Sequence, residues 1–95
     1  MTVFAVRYTY DERADVRDLV RPEHREWLTA QADAGVLLGS GPFEDAPPGA
    51  LLVFRVADVV TLRTLLAQDP FAREGLVAAT EVRAWDIVRG PWSTT

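Results

Sequence analysis

Residues 50–70 read ALLVFRVADVVTLRTLLAQDP and contain, in order, the signatures of a strand, a helix cap and an amphipathic helix. Ala50–Val56 is almost entirely apolar, which is typical of a buried strand. Asp58 then has the side chain of a helix N-cap. The residues that follow place their apolar members at helical spacing, namely Val59, Leu62, Leu65 and Leu66. These 21 residues therefore predict a strand connected directly to a helix.

Downstream, Pro70 sets the end of this helix and the start of a turn. Proline disfavours helical geometry at the preceding residue, Asp69, so the helix should stop near Gln68. A short turn over residues 70–75 leads to a last strand predicted over Thr80–Arg89. The tail, Trp92 to Thr95, is predicted to be loose.

Upstream, the pattern indicates a hairpin preceded by a helix. A strand over Val36–Phe43 and a turn over residues 44–49 lead into Ala50. The motif Arg21-Pro22-Glu23-His24 predicts a helix start, because proline is favoured at the first helical position and glutamate in the first turn. This helix should run to about Ala34, with Gly35 ending it.

The N-terminal strand is predicted over Val3–Tyr10. Phe4, Val6 and Tyr8 share one face, but the other face is also largely apolar, which suggests that a second subunit covers it. Residues 11–18 carry dense charge of both signs and are predicted to form a surface loop.

The predicted order is strand, helix, strand, strand, helix, strand. This order matches the ferredoxin-like α+β fold, a βαββαβ antiparallel sheet with both helices on one face. A chain of 95 residues holds one core, so residues 1–95 should form a single domain. The fold hosts many unrelated functions and cannot choose among them.

Composition excludes several classes of chemistry. The chain has no Cys and no Lys, which excludes disulfides, thiolate zinc sites, cysteine nucleophiles and Schiff-base lysines. A net charge of −4 argues against a nucleic-acid partner. One His and scattered carboxylates do not suggest a metal site. No apolar run approaches the ~20 residues of a membrane span, so a soluble, cytoplasmic protein is expected.

Two polar side chains are candidates for chemistry. His24, the only histidine, should lie in the first turn of its helix, where the dipole favours the neutral imidazole that a base requires. Asp69 extends the apolar stripe of the second helix with a carboxylate. Each has a purely architectural alternative: His24 as a core histidine bonded to backbone, and Asp69 as the N-cap of the turn after it.

The glycine-flanked stretch Gly39-Ser40-Gly41-Pro42 lacks the spacing of a phosphate-binding loop or a nucleophile elbow. Its glycines more plausibly admit a backbone or ligand close to the strand. Arg7 and Arg55 lie on predicted strands and could neutralise a substrate carboxylate, with two solvated arginines as the alternative.

Four short stretches, taken together, resemble the YCII-related, or YciI-like, family over nearly the whole chain. They are Arg21-Pro22-Glu23-His24, Gly35 to Pro42, Asp69-Pro70-Phe71 and Glu81 to Trp85. The resemblance implies a dimeric α+β barrel with an enclosed pocket, whose proposed catalytic pair is a histidine and an aspartate, here His24 and Asp69. Family members often have Tyr at the position of Phe71. Relatives include a dehydrochlorinase of aromatic degradation, and the wider superfamily includes muconolactone isomerase-like enzymes and cofactor-free monooxygenases.

Two functional hypotheses follow. One is a homodimeric, cofactor-free enzyme that uses His24 and Asp69 on a small cyclic or aromatic metabolite, as an isomerase, lyase or decarboxylase, in a pocket lined by Ser40, Gly41, Pro42 and Phe71. The other is a noncatalytic accessory or small-molecule-binding dimer. A solvent-reachable cavity that holds both side chains within hydrogen-bond reach would distinguish the two hypotheses.

Overall fold

The computed structural model describes residues 1–93, and its elements alternate in the predicted βαββαβ order with one short extra helix. Thr94 and Thr95, the last residues of the predicted loose tail, lie outside the described residues. The elements are β1 (Thr2–Tyr10), α1 (Ala14–Asp33), β2 (Leu37–Pro42), β3 (Gly49–Val56), α2 (Val59–Leu66), α3 (Pro70–Arg73) and β4 (Val77–Ala84).

The four strands form one antiparallel sheet in the order β2-β3-β1-β4. Each strand-helix-strand unit is split by a strand of the other unit, because β3 lies between β1 and β2 and β1 lies between β3 and β4. The ferredoxin-like α+β fold with the helices on one face of the sheet is thus confirmed.

The core lies between this sheet face and the helices. From β1 it takes Phe4, Val6 and Tyr8, as the alternation of β1 predicts, and from β3 it takes Leu52 and Phe54. The stripe of α2 contributes Leu62 and Leu66 to the same cluster. The Asp58 side chain accepts a hydrogen bond from Thr61 N at 2.7 Å, so the predicted N-cap of α2 is confirmed.

The predicted loop over residues 11–18 is wrong, because α1 begins at Ala14 and continues through Pro22. Its charges anchor the start of the helix rather than solvate a loop. Arg17 is only 6% exposed, and it bonds the carbonyl of Asp11 and lies 5.0 Å from the ring centroid of Tyr10. Tertiary contacts therefore extend the helix by two turns beyond the predicted start.

Three other predicted boundaries shift. The second helix ends at Leu66 rather than near Gln68. The last strand covers Val77–Ala84 rather than Thr80–Arg89, because its partner β1 begins at Thr2 and Trp85 N already bonds Val3 O. The tail is not loose at Trp92, whose indole packs over Gly39 of β2.

Within residues 1–93 the helices fall short of the length and apolarity that crossing a membrane requires.

Candidate functional site

Asp69 is placed by a helix start. It is the N-cap of α3, with Pro70 at the first helical position, and its Oδ1 accepts a hydrogen bond from Phe71 N at 3.0 Å. The carboxylate is fully buried, which would be costly without hydrogen-bond donors. It has two further partners: Tyr8 donates its hydroxyl to Oδ2 at 2.9 Å, and His24 Nδ1 lies 2.7 Å from Oδ1.

The geometry around His24 fixes its tautomer. Because a carboxylate can only accept, Nδ1 carries the proton in this hydrogen bond, and the neutral ring therefore has its lone pair on Nε2. Nε2 forms no hydrogen bond with residues 1–93. A buried nitrogen without a partner would be an unsatisfied buried atom, and Nε2 is not one, so it is accessible to solvent. The ring stacks on Phe71, with centroids 3.9 Å apart and planes within 7° of parallel.

Two tyrosine hydroxyls near the carboxylate stay protonated at neutral pH. Burial raises the pKa of Tyr8 far above its ordinary value of 10.0, and the charge of Asp69 and its hydrogen bond raise it further. Burial and then the charge of Asp69 raise the pKa of Tyr10 to about 12, against the opposing charges of Arg17 and Arg21. Tyr8 is therefore a permanent donor to the Asp69 carboxylate.

His24 faces a cavity of about 230 Å³ between α1 and the β2 edge of the sheet. The residues predicted to line a pocket, namely Ser40, Gly41, Pro42 and Phe71, all line this one. The remaining lining residues are Tyr10, Arg21, Arg25, Leu28, Ala50 and Leu52. Asp69 lies behind His24, within hydrogen-bond reach of it but out of contact with the cavity.

One prediction about an individual residue is wrong, and two alternatives that the sequence left open are now distinguished. His24 is not in a first turn, because α1 starts ten residues earlier at Ala14, and the helix dipole acts only within the first turn. Arg7 and Arg55 are exposed on the opposite sheet face, where Arg7 pairs with Glu81 at 3.1 Å, and neither lines the cavity. The side chain that approaches Gly39 closely is the chain's own Trp92, which a Cβ at Gly39 would meet at 2.7 Å.

Sequence reasoning missed Tyr8, Arg21 and Arg25 as members of the site. Tyr8 was indistinguishable from its apolar neighbours on the buried face of β1. The two arginines had a visible signal, since Arg17, Arg21 and Arg25 recur every four residues and so share one face of a helix that starts before Pro22.

Among residues 1–93 no group of three or more His, Asp or Glu side chains is arranged to hold a metal ion. The site brings together one imidazole with a free nitrogen, one buried carboxylate and two guanidinium groups.

Comparison with solved structures identifies the same fold in proteins of low sequence identity. The 5-chloro-2-hydroxyhydroquinone dehydrochlorinase TftG from Burkholderia phenoliruptrix, in complex with 2,5-dihydroxybenzoquinone, superposes with a TM-score of 0.78 at 22% identity, covering 87% of this chain and 92% of that one. SnoaB, a cofactor-independent oxygenase from Streptomyces nogalater, gives a TM-score of 0.53 at 16% identity, with 97% of each chain covered.

An antibiotic biosynthesis monooxygenase gives a TM-score of 0.58 at 18% identity and covers 94% of this chain and all of its own. No curated protein matches the sequence significantly. The sequence profile of the YCII-related domain matches residues 1–86, nearly the entire chain, and thereby includes both His24 and Asp69. The chain therefore belongs to the YCII-related family.

Proposed function

We propose that this chain is a cofactor-free acid/base enzyme that acts on a small cyclic or aromatic metabolite, as an isomerase, a lyase of the dehydrochlorinase type or a decarboxylase. The observation that carries the proposal is the His24 Nδ1 to Asp69 Oδ1 contact of 2.7 Å behind a ring that faces the cavity. This arrangement of an oriented imidazole with one free nitrogen is what general acid/base catalysis requires.

In the proposed step, Nε2 of His24 accepts a proton from a carbon next to a substrate carbonyl. The electron pair of the broken C–H bond passes to that carbonyl and forms an enolate. Reprotonation at another carbon gives an isomer, whereas expulsion of a leaving group such as chloride gives an elimination product. Asp69 keeps the ring oriented and stabilises the imidazolium while the proton resides on it.

Two of the structural neighbours support this class of chemistry. TftG is described as a dehydrochlorinase, with a quinone bound, and SnoaB as a cofactor-independent oxygenase. The first description concerns a small cyclic molecule and the second concerns chemistry without a cofactor. This chain shares the fold of both proteins.

We also propose that the working form is a homodimer joined through the sheet face opposite the helices. That face carries Val3 and Ala5 of β1, which are only partly exposed, and Leu51 of β3, which is 39% exposed. Trp92 covers part of this face, where it packs over Gly39 and Val53 is 2% exposed, and the apolar side chains that stay exposed form a surface suited to subunit contact.

A probe with an acidic C–H bond tests the proposal without knowledge of the substrate. Base-promoted ring opening of 5-nitrobenzisoxazole removes the proton on its C3, breaks the N–O bond and releases a coloured nitrophenolate. We expect the wild-type protein to accelerate this reaction and His24→Gln to lose about 10²-fold of the acceleration, the lower end of what general bases contribute.

The matched control is Arg89→Gln, an exposed position outside the cavity lining, which should retain the wild-type rate. Equal rates for the wild-type protein and His24→Gln would contradict the acid/base proposal and favour a noncatalytic binding protein.

A further inference from the structure

A row of four arginines runs along α1 toward the cavity. Arg13, immediately before the helix, is followed by Arg17, Arg21 and Arg25 at intervals of four residues. This interval places successive side chains on neighbouring positions of one helix face. The row stands out because the chain as a whole has a net charge of −4.

The positive charges of the row are only partly compensated by carboxylates. Arg13 and Arg17 share Asp11, at 2.6 Å and 3.6 Å. Arg21 pairs with Asp18, one helical turn before it. Within residues 1–93 no carboxylate forms an ion pair with Arg25. Four guanidinium groups thus face two carboxylates, and Arg25, at the end of the row that borders the cavity, has no ion-pair partner among residues 1–93.

The cavity wall has the same sign of charge. Arg21 and Arg25 both line it, and among residues 1–93 no Asp or Glu does. The negative charge of Asp69 is shielded from the cavity, because the carboxylate is fully buried and bonded by Tyr8, His24 and the Phe71 amide. A ligand in this space therefore meets the guanidinium groups of Arg21 and Arg25 together with the stacked rings of His24 and Phe71.

We infer that the cavity takes a single-ring organic anion, a carboxylate or an acidic phenol, whose charged group binds Arg25 and Arg21 while its ring lies against His24 and Phe71. This inference rests on the proposed function and names its substrate class. A volume of about 230 Å³ suits one ring, since an apolar cavity of about 150 Å³ binds benzene. Guanidinium groups bind carboxylates in a bidentate manner, and they can also stabilise the single oxyanion of an enolate intermediate by charge-assisted hydrogen bonds.

The test compares benzoate with benzamide, which has the same shape and no charge. Because His24 is the only histidine, its ring C–H protons report binding at this cavity in an NMR titration. We expect benzoate to saturate the shift and to bind at least about tenfold more tightly than benzamide, a difference typical of one charge-assisted hydrogen-bonded pair.

Arg25→Gln should remove about tenfold of the benzoate affinity and leave that of benzamide within about twofold. The control Arg89→Gln changes net charge equally on an exposed side chain outside the cavity and should alter neither. The inference would be overturned by equal affinities for benzoate and benzamide, or by equal losses of benzoate affinity in Arg25→Gln and Arg89→Gln. It would also be overturned if benzoate caused no saturable shift.

Failure here is distinguishable from failure of the proposed function, because neither probe offers an acidic C–H bond to His24. The wild-type protein could bind benzoate no more tightly than benzamide and still catalyse ring opening of 5-nitrobenzisoxazole. That result would contradict the anionic substrate class and would leave the acid/base proposal intact.

Discussion

At the scale of single residues, the site is organised around the buried carboxylate of Asp69. Its oxygens accept from a backbone amide at the start of α3, from a tyrosine of β1 and from the histidine of α1. The two readings of Asp69 from sequence, cap and site residue, are structurally compatible, since the same oxygen that caps α3 also contacts His24. Capping thus positions the carboxylate for its contact with the imidazole.

Tyr8→Phe should destabilise the fold, because it leaves Asp69 Oδ2 buried without its donor. The expected cost is about 1–3 kcal/mol of unfolding free energy. Tyr10→Phe is the matched control, since the Tyr10 hydroxyl has no hydrogen-bond partner among residues 1–93, and it should cost less than about 0.5 kcal/mol. Urea unfolding of both variants measures the difference, and equal costs would show that the Tyr8 bond contributes no stability.

Alkaline titration should report the environment of the two tyrosines. Both pKa values are raised above 10.0, that of Tyr10 to about 12, mainly by burial. In the unfolded chain these groups ionise near 10.0, so the unfolded state releases protons first and the stability that is fully present below pH 10 falls as pH rises. Absorbance at 295 nm should show no tyrosinate at pH 10 while the protein is folded. Half ionisation of a folded sample at that pH would contradict the expectation.

The same titration tests the link to Asp69. Asp69→Asn removes a negative charge that raises the pKa of Tyr10, so ionisation of Tyr10 should begin at lower pH than in the wild-type protein. An unchanged curve in a folded variant would contradict the influence of the Asp69 charge on Tyr10.

What sequence could predict at this scale was the pair itself. His24 is the only histidine, and Asp69 is a carboxylate that extends an apolar row. Both features are unusual, and both indicated candidate site residues. Tyr8 could not be recognised, because alternation in a strand shows which face a side chain occupies and not whether its hydroxyl has a partner.

At the scale of elements, α1 shows where local signals fail. Arg21-Pro22-Glu23-His24 has the appearance of a helix start, yet Pro22 lies in the ninth position of α1. A proline there lacks the N–H that would bond Asp18 O, at a cost of about 3 kcal/mol relative to alanine. The anchoring of Arg17 to Asp11 and the packing of His24 offset that cost, and neither contact can be read from local propensity.

Pro22→Ala should therefore stabilise the protein by about 1–3 kcal/mol, because alanine restores the missing helical hydrogen bond and is itself a good helix former. Thermal and urea unfolding measure this change. The site should be undisturbed, since Pro22 is exposed and does not line the cavity. Destabilisation by Pro22→Ala would mean that the local geometry at this proline is required by the fold.

Of the predicted α2 stripe, Leu62 and Leu66 are buried and Leu65 is half-buried, whereas Val59 is 41% exposed and lies off the buried face. Leu62 has no exposed surface, so Leu62→Ala should cost about 2–5 kcal/mol through lost burial and a residual cavity. Val60 lies on the same helix at 72% exposure, and Val60→Ala should cost less than about 0.5 kcal/mol. Similar midpoints of urea unfolding for the two variants would contradict the assigned helix face.

At the scale of the whole molecule, the order of elements was sufficient to predict the fold. Periodicity located four strands and two long helices, and their order allowed the split βαβ arrangement that the sheet order β2-β3-β1-β4 confirms. The order of elements alone does not predict the cavity, because its lining combines side chains of α1, β2, β3 and α3 whose separation depends on packing; the expected pocket residues came from the family resemblance.

The proposed homodimer predicts a particle of twice the 10.5 kDa chain mass by light scattering at micromolar concentration. Leu51→Asp places a charge on the exposed sheet face, opposite the core-facing Leu52, and should shift the mass toward that of one chain. A wild-type mass of 10.5 kDa would contradict the dimer and leave the sheet face without a second subunit.

The tautomer of His24 decides whether Nε2 is free to act as a base. Free neutral histidine prefers its proton on Nε2, whereas the Asp69 contact requires it on Nδ1 and leaves Nε2 as the base. ¹⁵N NMR of the single histidine, recorded with the ring neutral, distinguishes the two nitrogens without assignment ambiguity. We expect a protonated Nδ1 and an unprotonated Nε2 in the wild-type protein, and loss of this preference in a folded Asp69→Ala variant. A proton on Nε2 in the wild-type protein would contradict the proposed base.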